Sequence, residues 1–191
     1  MRRRVTAAVL LCVCLVSRGG RELEEVELIQ ALGVDVSSES SHPGALELTA
    51  AGDGEEPELY HGTGEDVMEA QEALRWAGDR RLELTHVTQL VMGREVDLAQ
   101  VLEQEVAHRK SGYGAKVWLS AGPRAGELLA GGKNPAGRLK SLEENGGVDA
   151  PTALEALVQL SREGEVRLPV LAEEAGELVF AGYETRGGTA E

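Results

Sequence analysis

The side chains that could take part in catalysis or bind a metal ion are four histidines spread along the chain. They are His42, His61, His86 and His108. No His-x-x-x-His pair and no nearby cysteine accompanies them, although a metal site needs several such ligands in a defined geometry. The spacing therefore predicts no metal site. His86, between two predicted strands, is the strongest candidate for a catalytic base, but its context favours packing or hydrogen bonding.

The segment HGTGEDV, residues 61–67, places two glycines between a predicted strand and a predicted helix, as phosphate-binding turns do. Val67 occupies the place of the third glycine in G-x-G-x-x-G, and no Walker lysine follows. Glu65 and Asp66 would also repel an anion from the start of the helix. The pattern therefore predicts a tight turn and a helix with Thr63 as N-cap, without a nucleotide cofactor.

Carboxylates are numerous, but none is placed for acid-base catalysis. The adjacent pairs are Glu24-Glu25, Glu55-Glu56, Glu143-Glu144 and Glu173-Glu174. Catalysis needs two carboxyl groups that converge on one pocket with separated pKa values, and adjacency in sequence does not provide this. Ser120 lies in LSAG, which lacks the pattern of a nucleophile elbow. We therefore assign no catalytic, cofactor-binding or metal-binding residue and expect a protein that is not an enzyme.

Composition limits the class of protein and the class of partner. A chain of 191 residues with 42% hydrophobic residues can form a single domain with a substantial core. Its formal charge is −14, and without the four arginines of its first 20 residues 15 basic residues face 33 acidic ones. Such a chain is repelled by phosphate backbones and anionic lipids, so the charge disfavours nucleic-acid binding and electrostatic attachment to membranes.

Residues 1–20 resemble a targeting segment. Three arginines precede the apolar stretch VTAAVLLCVCLVS, which is shorter than the roughly 20 residues of a transmembrane helix. We expect a cleaved export signal or, second, a short uncleaved anchor. Cys12 and Cys14 both lie inside this segment, so its removal would leave no cysteine. Leu11 and Val13 precede them, and neither is the small residue that a lipoprotein signal needs.

Short apolar strands and amphipathic helices interleave along the rest of the chain. Strands are predicted in residues 27–36, 45–50, 59–62, 80–93 (two), 115–122 and 166–184 (two). Helices are predicted from Thr63, around 98–106, after Pro123, in 134–147 and in 151–164, with Trp76 closing the first helix against the core. Because several strand pairs are adjacent in sequence, we predict an α+β (mixed α/β) fold, a mixed β-sheet with helices packed on it. The predicted divisions are a signal or anchor in 1–20, one domain in 21–185 and a tail in 186–191.

The order and spacing of five segments resemble one protein family. They are RELEEVELIQALGVD (21–35), the stretch from LYHGTGEDV to VMGREV (59–96), KVWLSAGPRAGELL (116–129), PTALEALVQL (151–160) and VRLPVLAEEAGELVFAGYE (166–184). Together they resemble the N-terminal domain of the Ger(x)C family, the C subunits of nutrient germinant receptors in endospore-forming bacteria. The resemblance covers about residues 11–185, and no single motif within it is diagnostic.

The resemblance implies a non-catalytic lipoprotein at the outer face of the spore inner membrane. There it would act in nutrient sensing beside integral-membrane germinant receptor subunits. Two features differ from the family pattern: Gly20 stands where an acylated cysteine is expected before Arg-Glu-Leu, and family members continue into further α/β domains. The alternatives are a secreted acidic binding domain unrelated to germination and, less favoured, an exported hydrolase that uses His86.

Overall fold

The computed structural model describes residues 26–52, 57–108, 113–122, 124–131 and 133–188. The predicted signal segment, residues 1–20, lies outside them. The described strands are β1 (Val26–Leu28), β2 (Ala31–Val36), β3 (Leu46–Ala51), β4 (Leu59–Gly64), β5 (Arg81–Glu83), β6 (Gln89–Met92), β7 (Lys116–Ser120), β8 (Glu165–Glu174) and β9 (Glu177–Gly187). The described helices are α1 (Val67–Arg75), α2 (Leu98–His108), α3 (Ala125–Gly131), α4 (Pro135–Glu144) and α5 (Ala153–Glu163).

Seven strands form one mixed sheet in the order β4-β3-β2-β6-β7-β8-β9. Its central strands β2, β6, β7 and β8 run parallel. Antiparallel strands extend the sheet on both sides, and β1 and β5 form a separate parallel pair. The four central strands therefore all end at the same end of the sheet, where their carboxyl-terminal residues lie next to one another.

Each face of this sheet has its own core, because successive side chains of a strand point to opposite faces. Leu32 and Val34 of β2 belong to the core that also contains side chains of α1, α2 and α5. Ala31 of the same strand belongs to the second core, with Trp118 and side chains of α3 and α4. Helices thus cover both faces of a single mixed sheet, and this confirms the predicted α+β single domain.

The central strands are apolar on both faces, as buried parallel strands are. All four residues of β6 are buried. Trp118 of β7 is fully buried, and its indole N–H donates a hydrogen bond of 2.7 Å to Oε1 of Gln89. A buried indole needs such a partner, so Gln89 is a polar residue that the core requires.

Helix α1 follows the predicted period but begins later than predicted. Val67, Ala70 and Leu74 are buried as expected. The N-cap is Asp66, whose carboxylate accepts a hydrogen bond of 2.9 Å from the backbone N–H of Glu69. The prediction of Thr63 as N-cap is wrong, because β4 continues through this residue to Gly64 and the helix can start only after the strand ends.

The prediction that Trp76 packs against the core is also wrong. Trp76 is the C-cap of α1, and 64% of its surface is exposed. It lies two residues beyond the buried Leu74, which is about 200° around a helix and therefore on the outward side. Its indole N–H donates a hydrogen bond of 3.1 Å to Glu72.

Helix α5 and the final hairpin match the predicted segments closely. Thr152 caps the helix in a reciprocal arrangement with Glu155, so Pro151 precedes the cap rather than opening the helix. Gly164 ends the helix with φ = 78°. The turn between β8 and β9 has positive φ at Ala175 and Gly176, as a two-residue hairpin turn of type I′ requires.

Candidate functional site

The carboxyl ends of parallel strands are the usual ligand site of open α/β sheets, and here they carry a buried carboxylate. Asp35, near the end of β2, is only 2% exposed. Its two carboxylate oxygens accept hydrogen bonds of 2.7 and 2.8 Å from the backbone N–H groups of Ala125 and Gly126. Burial raises the pKa of Asp35, while these two hydrogen bonds and the nearby charge of Arg124 act in the opposite direction. Asp35 therefore holds the first turn of α3 against the sheet.

Helix α3 approaches the strands closely, with a glycine on each side of the contact. A Cβ on Gly126 would lie 2.5 Å from Oγ1 of Thr49 and 3.4 Å from Oδ2 of Asp35. A Cβ on Gly33 of β2 would lie 3.2 Å from the backbone N of Gly126. The space over this part of the sheet, where a small ligand would bind in many α/β proteins, is filled by the backbone of α3.

A chain of paired polar side chains continues from this contact toward the edge of the sheet. The guanidinium of Arg124 pairs with the carboxylate of Glu47 and also donates a hydrogen bond of 3.2 Å to Ser38. Glu47 lies 3.4 Å from Nδ1 of His61, and that nitrogen is 3.2 Å from Oγ1 of Thr49. We refer to Asp35, Glu47, Thr49, His61 and Arg124 as the α3 anchor.

The α3 anchor resembles a catalytic group only in its residue types. Thr49, the hydroxyl beside the histidine, is 1% exposed, and the contact with Gly126 closes its approach from the α3 side. Ser120, at the end of β7, is also fully buried and donates its hydroxyl to the backbone carbonyl of Arg124 at 3.2 Å. The hydroxyl of Ser120 therefore stabilises the start of α3, whereas that of Thr49 pairs with His61. No local sequence pattern indicates this arrangement, because Asp35 and Gly126 are 91 residues apart.

The four histidines considered as ligands or bases lie in different elements. His42, in the loop after β2, is exposed, and its Nε2 is 3.4 Å from Glu65. His61 is in β4, and His86 is exposed in the turn between β5 and β6. His108 ends α2, and its side chain lies outside the described part of the structure. Within the described ranges, no group of three or more histidine, cysteine or acidic side chains could hold a metal ion.

The glycines of the HGTGEDV segment serve helix packing. Both lie in β4, directly under α1. A Cβ on Gly62 would lie 2.3 Å from the backbone N of Leu74, and one on Gly64 would lie 2.3 Å from the backbone N of Ala70. The predicted tight turn is therefore a strand that the backbone of α1 touches directly.

The adjacent acidic pairs do not converge where they are described. Glu143 and Glu144, in α4, pair with Lys116 at 3.3 Å and Lys140 at 3.8 Å, respectively. Glu173 and Glu174 are exposed at the end of β8. The pairs at 24–25 and 55–56 lie outside the described residues.

Of the six larger apolar side chains that are exposed in the described ranges, four lie on two helical surfaces, and the other two are Leu28 in β1 and Tyr113 before β7. Met68 and Trp76 lie on α1 and at its C-cap, and Leu154 and Val158 lie on α5. The sequence analysis does not predict the exposed apolar surface on α1, because it assigns Trp76 to the core. Two charged residues, Glu72 and Arg75, lie within one turn of Trp76. They indicate that this end of the helix faces solvent.

A family model described as "Spore germination protein N-terminal domain" matches residues 19–172, which is more than half of the chain. No curated protein and no solved structure matches. In the part of the chain that the structure describes, every helix is too short or too polar to cross a bilayer.

Proposed function

Because the chain belongs to the family of spore germination protein N-terminal domains, we propose that it is a non-catalytic, C-subunit-like component of a nutrient germinant receptor. The family itself gives the chain a role related to spore germination. The receptor role goes further, and the match over residues 19–172 is the observation that carries it.

The geometry of the strand ends supports a role in binding rather than catalysis. The buried carboxylate of Asp35 and the hydroxyl of Ser120 attach α3, and Gly126 lies directly against Thr49. The histidines that are described lie apart in the chain's fold, in a loop, a strand and a turn. A protein built in this way acts through its outer surface, which is consistent with a subunit that contacts other subunits.

We further propose that the protein acts at the outer face of the spore inner membrane, beside integral-membrane receptor subunits. Its excess of 33 acidic over 19 basic residues opposes direct attachment to anionic lipids. Membrane association then depends on residues 1–20, whose apolar stretch follows three arginines.

Fractionation of spores from the source organism tests this proposal. The protein should sediment with the inner membrane and be released by detergent, and a chain lacking residues 2–20 should be lost from that fraction. A Cys12→Ser, Cys14→Ser variant is the matched control for acylation, because these are the two cysteines of the chain. If the variant stays in the membrane fraction, the apolar segment in residues 1–20 is itself the anchor. If the variant is lost from that fraction, the anchor is a lipid linked to a cysteine.

Other results would contradict the receptor role. A soluble exported protein whose deletion leaves nutrient-induced germination unchanged would instead be a secreted acidic binding domain. A hydrolytic activity that His86→Ala abolishes, without a change in thermal unfolding, would contradict the non-catalytic assignment.

A further inference from the structure

The outward face of α1 combines exposed apolar side chains with a concentration of acidic ones. Met68, Glu72 and Trp76 are spaced four residues apart and so lie in one row along the helix. Met68 is 45% exposed and Trp76 is 64% exposed. The indole N–H of Trp76 donates a hydrogen bond to Glu72, which keeps the ring along the row. We refer to this row and its acidic neighbours Glu65, Asp66 and Glu69 as the α1 face.

The charge of the α1 face is strongly negative. Its four acidic side chains, at positions 65, 66, 69 and 72, are opposed within the helix by Arg75, whose guanidinium lies 3.4 Å from Glu72. A shallow cleft of about 480 Å³ runs along this face and is lined by Met68 and by residues of both charges. The face therefore offers apolar contact area inside a field that attracts cations.

Exposed tryptophan and methionine are the residue types that anchor interfaces, since tryptophan supplies a large rigid contact and methionine adapts to its partner. The surrounding carboxylates select the charge of that partner. A second copy of this chain, with a net charge of −14, is disfavoured as the occupant. The matching shape is another helix with an apolar stripe for Met68 and Trp76 and basic residues beside it for Glu69 and Glu72.

We infer that the α1 face is a docking site for a cationic amphipathic helix of a partner protein. The inference rests on the proposed subunit role, in which the domain acts by contact with other proteins. It adds which surface makes the contact and what chemistry the partner presents.

Helix α5 provides an internal control for this inference. Leu154 is 43% exposed and Val158 is 39% exposed, and their spacing of four residues matches that of Met68 and Glu72. The charged residues of this helix are Glu155, Arg162 and Glu163, two acidic and one basic. The α5 surface thus has comparable apolar exposure, with two acidic residues against one basic residue where the α1 face has four against one.

The test is a titration of the purified full chain with a labelled synthetic peptide of about 18 residues, long enough for a helix with one leucine face and one lysine face. A peptide in which glutamate replaces lysine is the charge control. Peptide anisotropy measures affinity, and Trp76 fluorescence reports the location, since Trp118, the other tryptophan, is fully buried. We expect binding of the lysine peptide, a change in Trp76 emission and weakening by salt.

Two matched variants decide between the surfaces. Met68→Ala with Glu72→Lys should weaken binding about tenfold or more, and Leu154→Ala with Glu163→Lys should change it less than about twofold. Thermal unfolding is followed for both, and Glu72→Lys alone serves if the double variant does not fold. Equal losses in the two variants, or equal binding of the glutamate peptide, would overturn the inference.

Self-association is measured in the same samples by sedimentation. A wild-type dimer that the α1 variant abolishes would identify a second copy as the occupant and would also overturn the inference. These measurements use the purified protein and spore fractionation uses the cell, so either proposal can fail while the other stands.

Discussion

Two helices of this protein begin at polar caps that differ in almost every respect. Helix α5 is capped locally, by Thr152 and Glu155, in an exposed turn. Helix α3 is held by Asp35, which comes from β2, is buried and lies 90 residues away in sequence from the first N–H group that it accepts. The same task, acceptance of hydrogen bonds from the free N–H groups of a first turn, is thus solved by a local motif in one helix and by the tertiary fold in the other.

The difference appears in the acidity of the two carboxyl groups. Burial raises the pKa of Asp35 above its ordinary value of 3.8. Hydrogen bonds from the backbone and side chain of Thr152 lower the pKa of Glu155 below its ordinary value of 4.5. An exposed cap gains its hydrogen bonds without losing water, whereas a buried cap is ionised at a cost.

The largest expected effect comes from Asp35→Ala. This change would leave the N–H groups of Ala125 and Gly126 buried without their acceptor, so the free energy of unfolding should fall by about 3 kcal/mol. Urea unfolding followed by circular dichroism measures the change. Asp35→Asn is the matched control: its one carbonyl oxygen retains one hydrogen bond, and its loss should be smaller. An Asp35→Ala protein as stable as the wild type would show that α3 does not depend on this anchor.

A smaller effect is expected from Thr152→Ala at the start of α5. The hydroxyl accepts a hydrogen bond of 3.2 Å from the N–H of Glu155, and loss of an N-cap of this kind costs about 1 kcal/mol. The same unfolding experiment measures it, with Thr152→Ser as the control that keeps the hydroxyl. If Ser and Ala destabilise equally, the methyl group rather than the hydroxyl is the stabilising part of Thr152.

The two caps also explain what the sequence could reveal. The period of α1, the strands around it and the β8–β9 hairpin follow from local spacing and turn chemistry, and the prediction of each was confirmed. The contact between Asp35 and Gly126 joins two segments with no local signal, and Trp76 was misplaced because an aromatic residue at a helix end was assumed to be buried. Long-range polar contacts and the outward direction of single side chains are set by tertiary packing, which a single sequence does not encode locally.

The smallest expected effect is the dependence of the two caps on pH. Because the folded-state pKa of Glu155 is lowered, its stabilisation is present above pH 4.5 and is lost as the pH falls. Glu155→Gln should therefore cost about 0.5 kcal/mol at neutral pH, since water screens an exposed carboxylate, and nothing in acid. For Asp35 the pH dependence of the stabilisation has the opposite sign, because its folded-state pKa is raised. Its contribution to the free energy of unfolding is fully present below pH 3.8 and declines as the pH rises through the higher folded-state pKa. The destabilisation by Asp35→Asn should thus shrink with rising pH while that by Glu155→Gln grows. Urea unfolding of both variants and the wild type between about pH 3 and 7 measures the two slopes, and slopes of the same sign would show that burial does not dominate at Asp35.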